Sequence, residues 1–175
     1  MPVSRYALLR WPLISVLLLA AAFLHAHWTN PVVTEIGDFF SHEFYLSYIV
    51  LSIFLLLWSV WHGQSRRILW WPVLVSIYSF CCLEGLKLLT RLPRPNHQPD
   101  GFPSGHTTYS FALAWLLTQT YPKLTPLWYA VAMSVGWSRV EGRAHYPYQV
   151  FCGVILGTVI GWWVSREKKD EGAKT

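Results

Sequence analysis

Charged residues are scarce in this chain. Asp, Glu, Lys and Arg together make up 13% of its 175 residues, whereas 53% are hydrophobic and 17% are aromatic. Soluble domains carry about 25% charged residues, so this composition excludes an ordinary soluble protein and indicates a membrane protein. The net charge of +5 does not indicate nucleic-acid binding, because no basic stripe alternates with stacking aromatic residues on a soluble segment.

Cysteine is also rare and follows no functional pattern. Cys81, Cys82 and Cys152 lie inside apolar stretches, and neither their number nor their spacing fits a disulfide framework or a metal site. We therefore expect buried, unpaired thiols. Internal repeats, low-complexity tracts and interdomain linkers are missing too, so residues 1–175 are predicted to form a single domain.

Long apolar stretches stand where a soluble chain would have charge. A helix that crosses the hydrocarbon core, which is roughly 30 Å thick, needs about 20 apolar residues. Pro122 and Pro126 predict a tight turn that makes two such helices antiparallel neighbours. We predict an all-α bundle of six transmembrane helices, the first of them uncleaved. The predicted spans are residues 11–27, 44–61, 69–86, 107–121, 124–138 and 148–165.

The segment between the first two spans, residues 28–43, is too short and too acidic to cross a bilayer. Several of its apolar residues fall on roughly one face of a helix, so we predict a helix that lies along the outer membrane interface. A lid or a partner-binding surface is the alternative. The apolar residues of this face are Val32, Val33, Ile36, Phe39 and Phe40.

Glycine recurs every four residues in the last span, at Gly153, Gly157 and Gly161. This spacing places the three glycines on one stripe of the helix, where another helix can approach closely. A neighbouring helix of the same bundle is the predicted partner. Dimerisation through the same stripe is the alternative.

The distribution of charge predicts the orientation in the membrane, because Lys and Arg are retained on the cytoplasmic side of short loops. With the N-terminus inside, the inner segments hold nine basic and three acidic residues. The outer segments then hold five basic and six acidic residues. Both termini are therefore predicted to be cytoplasmic.

Three outward-facing stretches hold most of the remaining ionisable residues: KLLTRLPRP from Lys87, PSGH from Pro103 and SRVEGRAH from Ser138. Ionisable groups in such places usually belong to a functional site. Snorkelling to the lipid headgroups explains a single cation such as Arg91. It does not explain why three polar stretches share one side of the membrane.

The cations of these stretches indicate an anion-binding site. Lys87 and Arg94 are brought together by the extended turn that the neighbouring prolines impose, and Arg139 adds a planar fork that matches phosphate oxygens. Ser104 is a predicted N-cap, and the flexible Gly105 follows it. The first turn of that helix offers backbone N–H groups to an anion.

Two histidines add the chemistry of phosphoryl transfer. One imidazole of the pair His106 and His145 would attack phosphorus, and the other would protonate the leaving oxygen. No acidic pair and no Cys/His set of the metal-binding kind stands near them in the sequence. We therefore expect neither a metal nor a cofactor.

The order and form of the motifs permit a family assignment. K-x6-R-P at residues 87–95, PSGH at 103–106 and S-R-x5-H at 138–145 resemble the type 2 phosphatidic acid phosphatase (PAP2) family of integral-membrane lipid phosphatases. The resemblance covers nearly the whole chain, with the catalytic motifs within residues 87–149. It implies that His145 is the nucleophile that forms a phosphohistidine and that His106 is the general acid. The residues implied to bind phosphate are Lys87, Arg94, Ser104, Gly105 and Arg139.

The chain departs from this family at one position. The third motif usually continues as H-x3-D, whereas this sequence has Gln149. A glutamine carbonyl can orient the imidazole but cannot offset its developing positive charge. Three interpretations of Gln149 are open. Gln149 is a working variant, as in dolichyl diphosphatase, which this pattern also resembles. Alternatively, Glu141 supplies the carboxylate, or the site binds lipid phosphate without catalysis. Glu141 and Arg143 are expected to form a solvent-facing ion pair, with headgroup contact as the alternative.

The resemblance implies a multi-pass lipid phosphatase of a bacterial inner membrane whose site faces outward. That location, the extra charges of Glu141 and Arg143, and the glutamine shared with a diphosphatase favour undecaprenyl diphosphate as substrate. Phosphatidylglycerol phosphate, phosphatidic acid and lipid A 1-phosphate are alternatives. A lipid phosphotransferase and a non-catalytic lipid-phosphate binder are further alternatives. The expected partners are the lipid substrate and membrane lipids, not nucleic acid, and the oligomeric state stays open.

Overall fold

The computed structural model describes residues 5–24, 31–41 and 43–166, and all regular structure in these ranges is helical. Two short 3-10 segments, Arg66–Trp70 and Pro122–Leu124, precede two of the long helices. The α-helices are α1 (Arg5–Leu24), α2 (Pro31–Ser41), α3 (Glu43–Trp61), α4 (Trp71–Thr90), α5 (Gly105–Thr120), α6 (Thr125–Glu141) and α7 (Pro147–Arg166).

The turns follow the local sequence. Pro122 opens the 3-10 segment between α5 and α6, and Pro126 lies in the first turn of α6, where a missing N–H costs nothing. The predicted tight turn is therefore confirmed. At the other side of the bundle, α4 ends where Arg91 adopts a left-handed conformation with φ 46°. The chain then leaves the helix for the loop of residues 91–104.

Helix α5 forms the centre of the bundle. The run from Phe111 to Thr118 is buried at every position, and α3, α4, α6 and α7 all pack against this helix. Burial on all sides explains why α5 shows no polar face, since such a face would have to meet another helix. The N-terminus of α5, which carries PSGH, is thereby surrounded by the ends of its neighbours.

The glycine stripe of α7 packs against α5, as predicted. A Cβ atom added at Gly157 would collide with the Thr108 carbonyl oxygen, and one at Gly161 would lie 2.8 Å from the Trp115 Cβ. Near the site, a Cβ at Gly153 would lie 2.9 Å from the Ser104 carbonyl oxygen. The two backbones therefore touch along the stripe, which positions the start of α7 against the start of α5.

Three helical segments meet the length and hydropathy that a bilayer requires: Glu43–Trp61, Arg66–Thr90 and Pro147–Arg166. Residues Leu9–Leu24 form a shorter apolar helix, and α5 and α6 have 16 and 17 residues. The described residues are therefore all-helical, and their apolar helices indicate a membrane protein. Six crossings stay a prediction, and residues 25–27 of the first predicted span lie outside the described residues.

Helix α2 occupies the predicted interfacial segment, of which residues 28–30 and 42 lie outside the described ranges. Val32, Ile36 and Phe39 are exposed, while Gly37 is buried against the end of α6, where an added Cβ would lie 3.3 Å from the Glu141 Cβ. Helix α2 therefore lies beside the SRVEGRAH loop. Its position at the membrane interface stays a prediction.

The expectation of buried thiols is wrong for two cysteines. Cys81 and Cys82 are exposed and Cys152 is half-buried, and all three are unpaired. The two exposed cysteines lie on the outer surface of α4, where an apolar side chain faces lipid and not the bundle interior. Apolar surroundings in the sequence do not distinguish these two environments.

We predict that Gly157→Ala separates α5 from α7 and lowers the free energy of unfolding by about 1–3 kcal/mol, because the new methyl group meets backbone. Gly85→Ala is the matched control, since nothing lies within 4 Å of a Cβ at that helical position. Thermal denaturation in detergent measures both. Equal melting temperatures for the two variants would contradict the close packing of α5 on α7.

Candidate active site

The loop between α4 and α5 is folded into a small hairpin. The Gly101 N–H donates to the Leu92 carbonyl at 2.7 Å, and the Arg94 N–H donates to the Gln98 carbonyl at 2.9 Å. These two hydrogen bonds join the two arms of the loop formed by residues 92–101. Arg94 is thus held at a defined place by its own backbone, next to Gly101.

The N-terminus of α5 begins at Ser104, as predicted, but its hydroxyl makes no capping hydrogen bond. It accepts instead from the Thr107 hydroxyl at 2.9 Å. The Ser104 N–H donates to the Gln149 carbonyl of α7 at 3.0 Å. The first-turn N–H groups of α5 are therefore not capped by the serine side chain, which suits binding of an external anion.

His145 lies between α6 and α7 and is 3% exposed. Its Nδ1 is 2.9 Å from the Gly101 carbonyl oxygen and 3.1 Å from the Gln149 Oε1. Both partners are acceptors, so Nδ1 carries the proton of the neutral ring. The Nε2 atom then holds the unshared electron pair of the ring.

Gln149 is fully buried, with 0% exposure, and both ends of its amide are bonded. Its Oε1 accepts from the Tyr146 N–H at 3.1 Å, and its Nε2 donates to the Pro93 carbonyl at 3.0 Å and to the Tyr148 hydroxyl at 3.2 Å. A backbone N–H only donates and a carbonyl only accepts, so the amide cannot be turned around.

The pKa of His145 is lowered from its ordinary 6.5 to about 4, first by burial and then by the positive charges of Arg139 and Arg94. The hydrogen bonds to Gln149 and Gly101 act in the opposite direction, because they favour the protonated ring. The imidazole is therefore neutral at pH 7. A neutral ring is the form that attacks an electrophile.

The two arginines lie close to this imidazole. Arg139 is buried in the last turn of α6, and its carbonyl accepts from the His145 N–H at 2.9 Å. The Nε atom of Arg94 is buried and has no hydrogen-bond partner among the described residues. A buried donor without a partner is costly, and an anion at this position would satisfy it.

Lys87 lies in the last turn of α4 and forms an ion pair with Glu84, at 2.7 Å. This pair was not predicted from the sequence. Leu83, one turn earlier on the same face of α4, is 3.4 Å from the position of a Cβ at Gly105. This face of α4 therefore borders the N-terminus of α5, and Glu84 competes with any anion for the lysine.

His106 lies in the first turn of α5, and its ring packs on Tyr45 of α3 with the ring centroids 4.3 Å apart. The charge of Arg139 acts on Tyr45 as well as on His145. Tyr45 therefore packs beside the PSGH stretch. Tyr45 was not predicted as a site residue, because it lies at the start of an apolar span.

Gly101 is a second residue that the sequence did not single out. An added Cβ would lie 2.8 Å from both the Arg94 Cγ and the Gln149 Nε2. Any side chain at this position would displace an arginine, the glutamine or both. The glycine therefore permits the close approach of the hairpin, His145 and α7.

The predicted exposure to solvent is wrong for Glu141, which is 4% exposed and packs beside α2, and right for Arg143, which is exposed. The Nδ1 of His145 is bonded to Gly101 and Gln149. Gln149 therefore occupies the place where Glu141 would have supplied a carboxylate. Within the described ranges, no group of three or more His, Cys, Asp or Glu side chains could hold a metal ion.

Comparisons with known proteins identify relatives of this chain. A family model described as the PAP2 superfamily matches residues 68–172. The chain is 26% identical to the bacitracin transport permease protein BcrC of Bacillus licheniformis, over 77% of this chain and 70% of that protein. It is 35% identical to lipid A 1-phosphatase of Porphyromonas gingivalis, over 59% of this chain but only 26% of that longer protein.

A solved structure shares the fold. The crystal structure of a transmembrane PAP2 type phosphatidylglycerolphosphate phosphatase from Bacillus subtilis superposes with a TM-score of 0.58 and 22% sequence identity. The match covers 96% of this chain and 90% of that one. The helical arrangement described above is therefore found in an experimental structure.

We predict that ¹⁵N-histidine NMR of the purified protein shows one imidazole in the Nδ1–H form that stays neutral until the pH falls to about 4. The reason is that burial and two arginines disfavour its charged form. A His145→Asn variant assigns the signal by its disappearance. Protonation of this ring between pH 6 and 7, or a proton on Nε2, would contradict the geometry.

Proposed function

The chain belongs to the PAP2 superfamily, whose model matches more than half of its length, and on that premise we propose that it is a membrane lipid phosphatase. The observation that carries the proposal is the state of His145. Two carbonyl oxygens bind its Nδ1–H, which directs the unshared pair of Nε2 away from them. A neutral, oriented imidazole beside two arginines suits attack on a phosphate.

In the proposed first step, the His145 Nε2 attacks phosphorus and the bond from phosphorus to the lipid oxygen breaks. The proton on Nδ1 stays in its hydrogen bonds while the ring becomes a phosphorylated cation. In the second step, water attacks phosphorus, the P–N bond breaks, and inorganic phosphate leaves. Electrons and protons balance without a redox partner, and we propose that no metal takes part.

Cations and backbone donors would hold the phosphoryl oxygens. The buried Nε of Arg94 has no partner among the described residues, and Arg139 is buried beside the nucleophile. Ser104 and the Gly105 backbone would add donors at the start of α5. Lys87 would contribute after exchanging Glu84 for the substrate, since a phosphate with two charges competes well with one carboxylate.

His106 would serve as the general acid. It is the second residue of α5, and Tyr45 packs on its ring. It would give a proton to the leaving lipid oxygen and later take one from the attacking water. The aromatic contact limits the positions that this imidazole can adopt.

For the substrate, we propose undecaprenyl diphosphate at the outer leaflet of a bacterial inner membrane, with both termini of the chain in the cytoplasm. The asymmetry of charge across the predicted loops supports this orientation. The exposed Arg143 is suited to a second phosphate, and Gln149 resembles the residue of a diphosphatase. Lipid A 1-phosphate and phosphatidylglycerol phosphate are supported by the names of relatives, so they belong in the same assay, with phosphatidic acid.

We predict that the purified protein releases phosphate from at least one of these four lipids in the presence of EDTA. His145→Ala should lower kcat by about a thousandfold or more, because the nucleophile is lost, and His106→Ala by about a hundredfold or more. Free phosphate is measured over time for each lipid. The lipid with the highest kcat/KM identifies the substrate.

The controls separate the alternatives. No release from any lipid by the wild-type protein would contradict the phosphatase and leave a lipid-phosphate binder. Transfer of the phosphoryl group to a second lipid without release would indicate a phosphotransferase. Undiminished release by His145→Ala would contradict the nucleophile, and a requirement for added metal would contradict the metal-independent step.

A further inference from the structure

We infer that Gln149 is a positioning residue for two parts of the site at once, and that its amide N–H, which a carboxylate lacks, holds the Arg94 hairpin in place. The effect on phosphate binding rests on the proposed function, whereas the hydrogen bonds do not. The proposal concerns the donating half of the side chain. The accepting half, which orients His145, also exists in an aspartate.

Three hydrogen bonds join the hairpin and the start of α5 to the start of α7. The Gln149 Nε2 donates to the Pro93 carbonyl at 3.0 Å, the His145 Nδ1 donates to the Gly101 carbonyl at 2.9 Å, and the Ser104 N–H donates to the Gln149 carbonyl at 3.0 Å. Gln149 takes part in two of the three. Of these two, only the bond to Pro93 depends on the side chain.

The bond to Pro93 acts directly on Arg94. The Pro93 carbonyl belongs to the peptide unit whose N–H is that of Arg94, and this N–H closes the hairpin by donating to Gln98. A fixed Pro93 carbonyl therefore fixes the plane of the Pro93–Arg94 peptide, and with it the backbone that carries the Arg94 side chain. Movement of this peptide would carry the guanidinium away from the phosphate.

A carboxylate of the same shape cannot replace the amide. It would set an oxygen 3.0 Å from the Pro93 carbonyl oxygen, with no proton between two acceptors. Gly101 packs so closely on the amide that even a Cβ there would lie 2.8 Å from the Gln149 Nε2, which leaves little room for a carboxylate to turn away from Pro93. The hairpin itself would have to move.

A carboxylate would also introduce a negative charge beside Arg94 and Arg139, whose charges reach the neighbouring His145. That charge would draw the arginines away from substrate oxygens. The neutral amide avoids this competition and still orients the imidazole. Glutamine at this position therefore orients the imidazole without competing for the arginines, as an aspartate would. An acidic replacement should weaken phosphate binding.

The first experiment tests the bond itself in the wild-type protein, with no assumption about activity. The chain has four glutamines, at positions 64, 98, 119 and 149, and the first three are exposed. With ¹⁵N-labelled glutamine side chains, one NH₂ group should exchange its protons with water at least about tenfold more slowly than the other three. Rapid exchange of all four groups would overturn the proposal.

The second experiment tests the consequence with Gln149→Glu, which keeps the acceptor for His145 and loses the donor to Pro93. Backbone hydrogen exchange of residues 92–101 should accelerate about tenfold or more, and inhibition by orthovanadate, a phosphate mimic, should weaken by a similar factor. Tyr148→Phe is the matched control, because it removes the other partner of the amide and leaves the Pro93 bond. It should change neither measurement by more than about twofold.

Exchange and vanadate inhibition within about twofold of the wild type in Gln149→Glu would overturn the proposal. Equal effects in Tyr148→Phe would also overturn it, since the hydroxyl would then be the partner that matters. If Gln149→Glu does not fold, the exchange rates of the glutamine side chains in the wild-type protein still test the proposal. The wild-type protein could release no phosphate from any lipid and still show the protected amide. That result would contradict the proposed function but not the Gln149–Pro93 bond.

Discussion

The contact between the backbones of α5 and α7 is the constraint on which the rest of the site depends. Gly153 and Gly157 allow α7 to approach so closely that a single methyl group would collide with a carbonyl oxygen of α5. Only at that separation can the Ser104 N–H reach the Gln149 carbonyl. In a membrane, where lipid tails are as apolar as the side chains, such packing replaces the hydrophobic effect as the force between helices.

The imidazole of His145 is oriented by neutral hydrogen-bond partners. Carbonyl oxygens hold its Nδ1–H, while burial and two arginines disfavour its charged form. This arrangement favours a neutral nucleophile before attack. In the proposed mechanism, the positive charge that develops during attack would be balanced by the bound phosphate, so the reaction would depend more strongly on the charge of the substrate than it would with an aspartate nearby. The proposed diphosphate substrate would carry more negative charge than a monoester.

Much of this site could be predicted from residue types and their order. The turn at Pro122, the close packing of the Gly153 stripe and the grouping of His145 with two arginines follow from helix periodicity and from charges placed at span ends. The family match then agreed with the motifs. Sequence-based reasoning works here because each of these features is carried by a side chain with an unusual chemical character for a membrane segment.

Other features depend on backbone groups, which have no signature in a sequence. The Pro93 and Gly101 carbonyls complete the hydrogen bonds of Gln149 and His145, and any residue type carries such a group. Glu141 was expected in solvent because a charged loop residue usually lies there, but α2 covers it. Tyr45 approaches His106 only through the packing of α3 on α5, a tertiary contact that local patterns do not encode.

The central claim is that the neutral His145 attacks phosphorus, and trapping the covalent intermediate tests it most directly. The wild-type protein would be mixed with its lipid substrate labelled at the transferred phosphate, quenched in base within milliseconds, digested and analysed by mass spectrometry. The account predicts a phosphoryl group on His145 that acid removes and base preserves, and that His145→Ala lacks. Rapid phosphate release with no label on this histidine at any time point would contradict it.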